Sequence, residues 1–547
     1  MGLARALVAV CAFALALPVW VASPATSVRA ATIIVTSTAD AVMMGDGCTL
    51  REAIQAANTD AAVNECAAGA GADVIDASGI SGTITLGSAL PDIASDMTVR
   101  GSISDNLTIY GNSMPVFGQF LVVNAAVTAT LSHIRIESYI GRRSGYCSTF
   151  VTNRGTLAVL NSNFGCTDYI SGALSGLGNY GTLTVTNSFI GDIANHSRGT
   201  IMVTNYGGRS VSNGDTYTGN GDGGMVTVAD SNVGYIVNGG NGTIVVMNST
   251  FGSVDNSSDA GRVTVTNSTG RTLTNYSDGT LTAMNTTISG SSDGIGNLGT
   301  MRITNSTISD TSAYAAAAII NNRGTITLTN STVGGNKTDA IRNSDGGRMT
   351  ITSSTISGND GVGIRDDGGG PLLLAHSIVA GNLRAVIGDG VRSTTAAFTE
   401  TGPNFLSGDP RLGPLRDNGG PTKTMLPAPG SPVIDAGGVC PVATDQRGIP
   451  RPQGAACDIG AVEVGVVASA PQPRATTAPM IAPPALVPPT RGAGPQVATP
   501  APMPAPRGVE STATIAPTNT PTRMPTSTPT STIPSLYGTP NPLPPRR

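Results

Sequence analysis

Lysine occurs only twice in this 547-residue chain, at Lys337 and Lys423, and tryptophan once, at Trp20. Charged residues make up 12% of the sequence and aromatics 4%, whereas roughly 25% is charged in an average globular protein. Phosphate neutralisation needs clustered cations, so this composition excludes a general nucleic-acid binder. Leucine-rich periodic stretches are missing, which excludes a helical bundle. Beyond the N-terminus no run reaches the ~18 apolar residues of a membrane helix. The space is filled instead by 70 glycines and by Thr, Ser and Asn.

Residues 1–30 read as a secretory signal. Arg5 precedes an apolar stretch from Ala6 to Ala22, and Val28-Arg29-Ala30 offers a small-residue cleavage site. Removal of this segment would leave no membrane-spanning stretch and no tryptophan. Cys11 lies in the signal. The other six cysteines allow fifteen pairings. Local pairing is the simplest: Cys48 with Cys66, Cys147 with Cys166, and Cys440 with Cys457. The competing zinc reading has no CxxC spacing and only three histidines to draw on. Disulfides imply an oxidising, extracellular or cell-surface location.

Four regions follow the signal. Residues 31–105 carry one helical pattern and form an N-terminal cap. Residues 106–395 are repetitive. Residues 396–464 are rich in Pro, Gly and Asp and form a C-terminal cap. Residues 465–547 hold 21 of the 36 prolines, six Arg and a single acid, Glu510. That tail cannot bury a core, and its composition predicts a disordered Pro/Thr-rich segment.

The repeats carry the most information. Gly181-Thr-Leu-Thr-Val-Thr-Asn-Ser-Phe-Ile190 recurs as Gly299-Thr-Met-Arg-Ile-Thr-Asn-Ser-Thr-Ile308 and Gly324-Thr-Ile-Thr-Leu-Thr-Asn-Ser-Thr-Val333. An asparagine closes each alternating strand, at Asn161, Asn187, Asn205, Asn248, Asn267, Asn285, Asn305 and Asn330. Asp230, Ser353 and His376 fill the same slot, and His133 extends the series toward the N-terminus. Positions 161 to 376 span ten intervals, a mean period of 21.5 residues. A second asparagine precedes the first by 8 to 11 residues, at Asn153, Asn179, Asn195, Asn238, Asn256, Asn275, Asn297 and Asn343. Asp366 ends this series, and Asn220 and Asn321 are looser matches.

A period near 20 residues means stacked units, each too small to hold a core alone. Leu183, Val185 and Asn187 alternate with Thr, which is strand periodicity with one face inward. No helix pattern fits within a unit. The expected fold is all-β: a right-handed parallel β-helix of about twelve coils, forming a monomeric rod. Asparagine suits the bends because it tolerates left-handed backbone. Its amides can also hydrogen-bond from coil to coil at the ~4.8 Å strand spacing. Both asparagine series are expected to point inward, as are His133 and His376. Raw sheet ends invite aggregation, so caps are needed. Thr49-Leu-Arg-Glu52 is a capping box opening an amphipathic helix with Leu50, Ala53, Ile54 and Ala57 on one face.

Two terminal motifs resemble known modules. Gly47-Cys-Thr-Leu-Arg-Glu-Ala-Ile54-Gln-Ala-Ala-Asn58 is similar to the Cys-Ser-Leu-Arg-Glu-Ala segment (CSLREA) of bacterial exported repeat proteins. Asp409-Pro-Arg-Leu-Gly-Pro-Leu415, Asp417-Asn-Gly-Gly-Pro421, Gly430-Ser-Pro-Val-Ile-Asp-Ala-Gly437, Thr444-Asp-Gln-Arg-Gly448 and Cys457-Asp-Ile-Gly-Ala-Val-Glu463 look like the choice-of-anchor Q module. The resemblance covers about residues 31–464. It implies a right-handed parallel β-helix exported by bacteria, usually without known catalysis. Some relatives are labelled polymorphic outer-membrane proteins and end in a membrane barrel. This sequence departs from them there, since it ends in Pro-Thr tail without alternating aromatic strands.

Catalytic β-helices need clustered carboxylates. The best cluster is Arg342, Asp345, Arg365, Asp366 and Asp367, with the two arginines one period apart. The structural reading places Asp366 in the inward asparagine slot and both arginines outward, offset by the neighbouring acids. Asp215 and Asp222, in a Gly/Asp loop, are the weak candidates for calcium, the one cofactor considered. His196 stands near an arginine without a metal partner. Asp435, Asp445, Arg447, Arg451, Asp458 and Glu463 read as salt-bridged cap loops. The favoured function is a non-catalytic exported protein that adheres to glycan, matrix or envelope components through a long surface. The alternatives are a polysaccharide lyase or glycoside hydrolase, and a structural surface-layer component.

Overall fold

The computed structural model describes residues 29–103, 107–111, 119–138, 151–166, 176–214, 223–368, 370–383, 391–393 and 398–465. These residues wind as a right-handed parallel β-helix, and every strand pairing between named strands is parallel. One sheet holds sixteen strands, one per coil, from Thr32–Ile34 to Phe398–Glu400. Twelve of them fall within residues 106–395. The stack therefore runs past the repeats, by three strands at its N-terminal end and one at its C-terminal end. A second, 23-stranded sheet closes each coil and bends along its length. In one coil its strand is continuous, Gly207–Asn213, while in the preceding coil it is broken into Phe189–Ile190 and Asp192–Asn195.

The first sheet follows directly from the alternating pattern. Leu157, Leu183, Ile201, Val226, Ile244, Val263 and Leu281 stack in register, and all are fully buried. Val159, Val185, Val203, Val228, Val246 and Val265 form the column beside them. Each such side chain contributes roughly 1.5–3 kcal/mol on burial. Threonines occupy the outer face, where their β-branched side chains suit a pleated surface.

The two asparagine series behave differently. The 8-to-11-residue-earlier series lies inside. Asn153, Asn179, Asn195, Asn213, Asn238, Asn256, Asn275, Asn297, Asn321, Asn343 and Asp366 form one buried column. Each Asn Nδ2 donates to the carboxamide or carboxylate oxygen of the next coil, at 2.7–3.0 Å over all ten links. The second Nδ2 proton reaches a glycine carbonyl, as from Asn195 to Gly199 at 2.7 Å and from Asn275 to Gly279 at 2.9 Å. Those glycines cannot be replaced. A Cβ on Gly279 would lie 2.4 Å from Asn256 Nδ2, and one on Gly324 2.3 Å from Asn297 Nδ2. Asn213 and Asn321 occupy the column fully, whereas Asn220 lies outside the described residues.

The strand-closing series is not inward, which corrects the expectation from alternation. Asn161, Asn187, Asn205, Asn248, Asn267, Asn285, Asn305 and Asn330 all have φ between +47° and +52°. The left-handed residue turns the chain out of the strand, so its side chain does not continue the inward pattern. His133, Asp230, Ser353 and His376 share this corner and this φ sign. His133 and His376 are accordingly half-buried corner residues and do not face the core. Outer amides pair more loosely, as Asn205 to Asn187 at 2.8 Å and Asn267 to Asn248 at 3.4 Å.

The buried residue at this corner is the next one. Ser162, Ser188, Ser231, Ser249, Ser268, Thr286, Ser306, Ser331, Ser354 and Ser377 lie inside. Ser306 Oγ accepts the Thr286 N–H and donates to the Thr304 carbonyl, and its neighbours repeat the pattern. This hydroxyl column was legible only as the repeated Asn-Ser pair.

At the N-terminus a helix spans Leu50–Thr59 with Thr49 as its N-cap, and the capping box with Glu52 is complete. Leu50, Ala53, Ile54, Ala56 and Ala57 are buried. Cys48 and Cys66 are bonded, as are Cys440 and Cys457. The proposed partner of Cys166, Cys147, lies outside the described residues.

Residues 402–465 do more than cover an end, which revises the picture of a simple cap. They fold back along the flank of the last coils. Gln446 Nε2 donates to the Ser306 carbonyl and the Thr307 hydroxyl, and Thr332 Oγ1 donates to Gln446 Oε1 at 2.6 Å. Asn330 Nδ2 reaches the Thr444 carbonyl. Met425 seats against Gly334 and Gly358. Strands Thr307–Ser309, Thr332–Gly334 and Thr355–Ser357 are therefore buried on both faces. Within this module Arg451 is fully buried and pairs with Glu463 at 2.9 Å. It also donates to the carbonyls of Asp458 and Gly460. Burial pushes the Asp458 carboxyl up to about 6, although the Asp435 and Val464 N–H groups donate to it.

Two outcomes follow. Asn256→Leu leaves the Asn238 amide and the Asn275 oxygen without partners and should cost about 3 kcal/mol or more. Asn267→Gly, which suits φ +50°, should change stability by less than about 1 kcal/mol. Equal melting of the two variants would contradict the assignment of inner and outer columns. Arg451→Met strands a buried carboxylate and should destabilise the C-terminal module by about 3–5 kcal/mol, read by denaturant unfolding with a probe in residues 402–465.

Candidate binding groove

The outer face of the second sheet carries a groove of about 720 Å³. Its floor is set by strand register. Tyr235, Ser253 and Thr272 lie on one line, and Val237, Asp255, Thr274, Gly296 and Ile320 on the next. At the bend beside them Gly234 and Gly252 pass so close to the preceding coil that no side chain fits. A Cβ on Gly252 would lie 2.5 Å from the Gly234 carbonyl oxygen. The absence of side chains along this line keeps the surface concave. Tyr276 and Leu298 follow the inner asparagines and form the opposite wall.

A second depression of about 490 Å³ shares Gly290 and Ser292 with the first. It adds Asp310, Tyr314 and Lys337. The lining is thus continuous from Tyr235 to Lys337. Three tyrosines present themselves to solvent along it: Tyr235 and Tyr276 are each 56% exposed and Tyr314 is 98% exposed. Such rings combine an apolar face with a hydrogen-bonding tip. Between them lie hydroxyls and carboxylates already ordered by the sheet. Asp255 Oδ1 accepts from Ser253 at 2.8 Å and from Thr274 at 2.6 Å. Thr272 and Ser291 share a hydrogen bond of 2.8 Å. Ser292 donates to Asp293 at 2.7 Å. Arg271 supplies a cation at the bend.

The predicted acidic cluster lies further along the same floor. Ile320 is in register with Arg342, and Arg342 with Arg365. Arg342 Nε meets Asp367 at 3.1 Å, and Arg365 Nε meets Asp339 at 2.7 Å. Asp366 is fully buried, accepts the Asn343 amide and ends the inner column. Asp345 sits in a turn at φ +54°. The structure thus separates the cluster into outward ion pairs and one inward acceptor. Asp215 and Asp222 lie outside the described residues. His196 stacks on Tyr180 with ring centroids 4.6 Å apart. Asp435, Asp445, Arg447, Arg451, Asp458 and Glu463 form an internal network, in which Arg447 pairs with Asp445 at 2.8 Å. The Asp445 oxygens accept the Arg447, Ile449 and Glu463 N–H groups.

No sequence signal singled out the groove. Tyr235, Tyr276 and Tyr314 are separated by 41 and 38 residues and stand outside the repeated positions. Only the coil register brings them to one face.

Among known families, the one described as a right-handed beta helix region matches residues 288–399. That segment includes the second depression and the Arg342–Arg365 line. No curated protein matches the chain.

The roles of the acidic cluster are separable by substitution. Asp366→Ala should lower stability by about 1–3 kcal/mol, because it leaves the Asn343 amide unpaired. Asp366→Asn, which restores a carboxamide to the column, should be close to neutral. Arg342→Ala should cost less than about 1 kcal/mol, as expected for an exposed ion pair. Thermal melts of the three variants check the ordering.

Proposed function

We propose that this chain is an exported, non-catalytic β-helix of the CSLREA and choice-of-anchor Q type, which binds extended glycans along the groove from Tyr235 to Lys337. The single observation that carries this reading is the row of three exposed tyrosines over a concave, hydroxyl-lined floor. A flat sugar ring offers an apolar face to an aromatic ring and hydroxyls to the groups around it. Parallel strands repeat every ~4.8 Å along the axis, so the surface offers a repeating polar ladder to a repeating ligand. The signal-like N-terminus and the two described disulfides support export to an oxidising, cell-surface or extracellular location.

A second reading is glycan cleavage, favoured by the presence of Asp255 and Asp293 in one groove. Against it, Asp255 is already held as an acceptor by two hydroxyls, and the Arg342–Asp367 and Arg365–Asp339 groups are paired with each other.

A glycan-array screen of the full chain, followed by calorimetry on the best ligand, tests the proposal. Tyr235→Ala and Tyr276→Ala should each weaken binding about tenfold, a loss of ~1.4 kcal/mol, with unchanged melting. Binding unaffected by both substitutions would remove the groove from the account. New reducing ends or unsaturated products from acidic glycans, lost in Asp255→Asn, would establish the cleavage reading instead.

A further inference from the structure

One group of ionisable side chains lies well away from the groove, in the N-terminal cap. The chain bends there at Gly45 (φ +97°) and Gly47 (φ +81°) before entering Cys48 and the helix. Asp46 sits in this bend, Glu52 in the first turn of the helix, and Glu65 beside Cys66. One oxygen from each of the three carboxylates lies within 4.8 Å of the other two.

Two of the three are accounted for. Glu52 Oε1 accepts the Met43 N–H at 3.1 Å and the Asn64 amide at 2.5 Å, and its Oε2 accepts the Thr49 N–H and hydroxyl. Glu65 Oε1 accepts the Gly45 N–H at 2.7 Å. Asp46 is different. Both of its carboxylate oxygens are buried, and neither accepts a hydrogen bond. A buried, donor-less carboxylate facing two others is strongly unfavourable unless a positive charge lies among them.

We propose that Asp46, Glu52 and Glu65 bind one calcium ion that fastens the N-terminal cap. An all-oxygen, three-carboxylate set is the chemistry of a hard divalent cation. Oxygens on opposite sides of calcium, each ~2.4 Å from it, are ~4.8 Å apart, so the cluster fits around one ion. Softer metals would need imidazole or thiolate, and the neighbouring Cys48 and Cys66 sulfurs are joined to each other. The ion would tie together the bend before the helix, the helix N-terminus and the turn at Asn64–Glu65. Glu65 is exposed and leaves a path for entry. This inference is independent of the glycan reading.

Calorimetric titration of the metal-stripped full chain with calcium chloride tests it. The expected result is a site with a dissociation constant at or below about 1 mM, the range of extracellular calcium modules. Asp46→Asn and Glu65→Gln should each weaken it at least tenfold. In metal-free buffer Asp46→Asn should melt at or above the unsubstituted chain, because it removes the unpaired charge. If Asp46→Asn fails to fold, Glu65→Gln carries the same comparison. Absence of calcium binding, or binding of undiminished affinity in the substituted chains (as a site at the Asp215–Asp222 loop would give), would overturn the proposal.

Discussion

The structure depends on a polar group placed where an apolar one would ordinarily be. A buried carboxamide without partners is costly, and the inner asparagine column avoids that cost only when every coil is in register with the next. Each Nδ2 needs the oxygen of its neighbour at 2.7–3.0 Å. A slip of one residue in any coil would strand two such groups. The apolar columns beside it supply more stabilisation, but they do not specify register as sharply, because a valine column tolerates a shift that an amide column does not. The glycines facing the column are part of the same constraint, since they let the next coil approach the amide.

That regularity explains why function is confined to departures from it. The repeated positions are committed to stacking: inner Asn, buried Ser or Thr, inward Leu, Ile and Val, and outward Thr. The groove lies where the repeat is free to vary, on the outer face of the second sheet and in the turns after the inner asparagines. Its shape comes from glycines at the bend, and its chemistry comes from tyrosines at positions the repeat does not fix. The C-terminal module uses the same freedom on the last coils, where small residues such as Gly334 and Gly358 admit Met425.

Much of this architecture was legible in the sequence, because a period of 21.5 residues and strict alternation leave few other folds. The direction of one asparagine series was not. Alternation carried through Asn187 places it inward, but its left-handed backbone breaks the alternation at that residue, and Ser188 turns in instead. Asn213 was passed over for Asn220 because a longer loop follows it and distorts the local spacing. Asp366 was assigned to the inner slot from spacing alone, and register places it there. The groove and the N-terminal acidic group were not legible. Both are assembled from residues distant in sequence, and Glu52 already had a role in the capping box.

The most direct test of the asparagine column is side-chain amide hydrogen exchange, measured by NMR on asparagine-labelled protein. The inner Asn256 and the exposed corner Asn267 differ by one structural feature, burial within the column. Asn256 Nδ2 protons should exchange orders of magnitude more slowly than those of Asn267, at rates set by opening of the coil stack. Equal, fast exchange at both residues would show that buried amide stacking does not hold the coils in register.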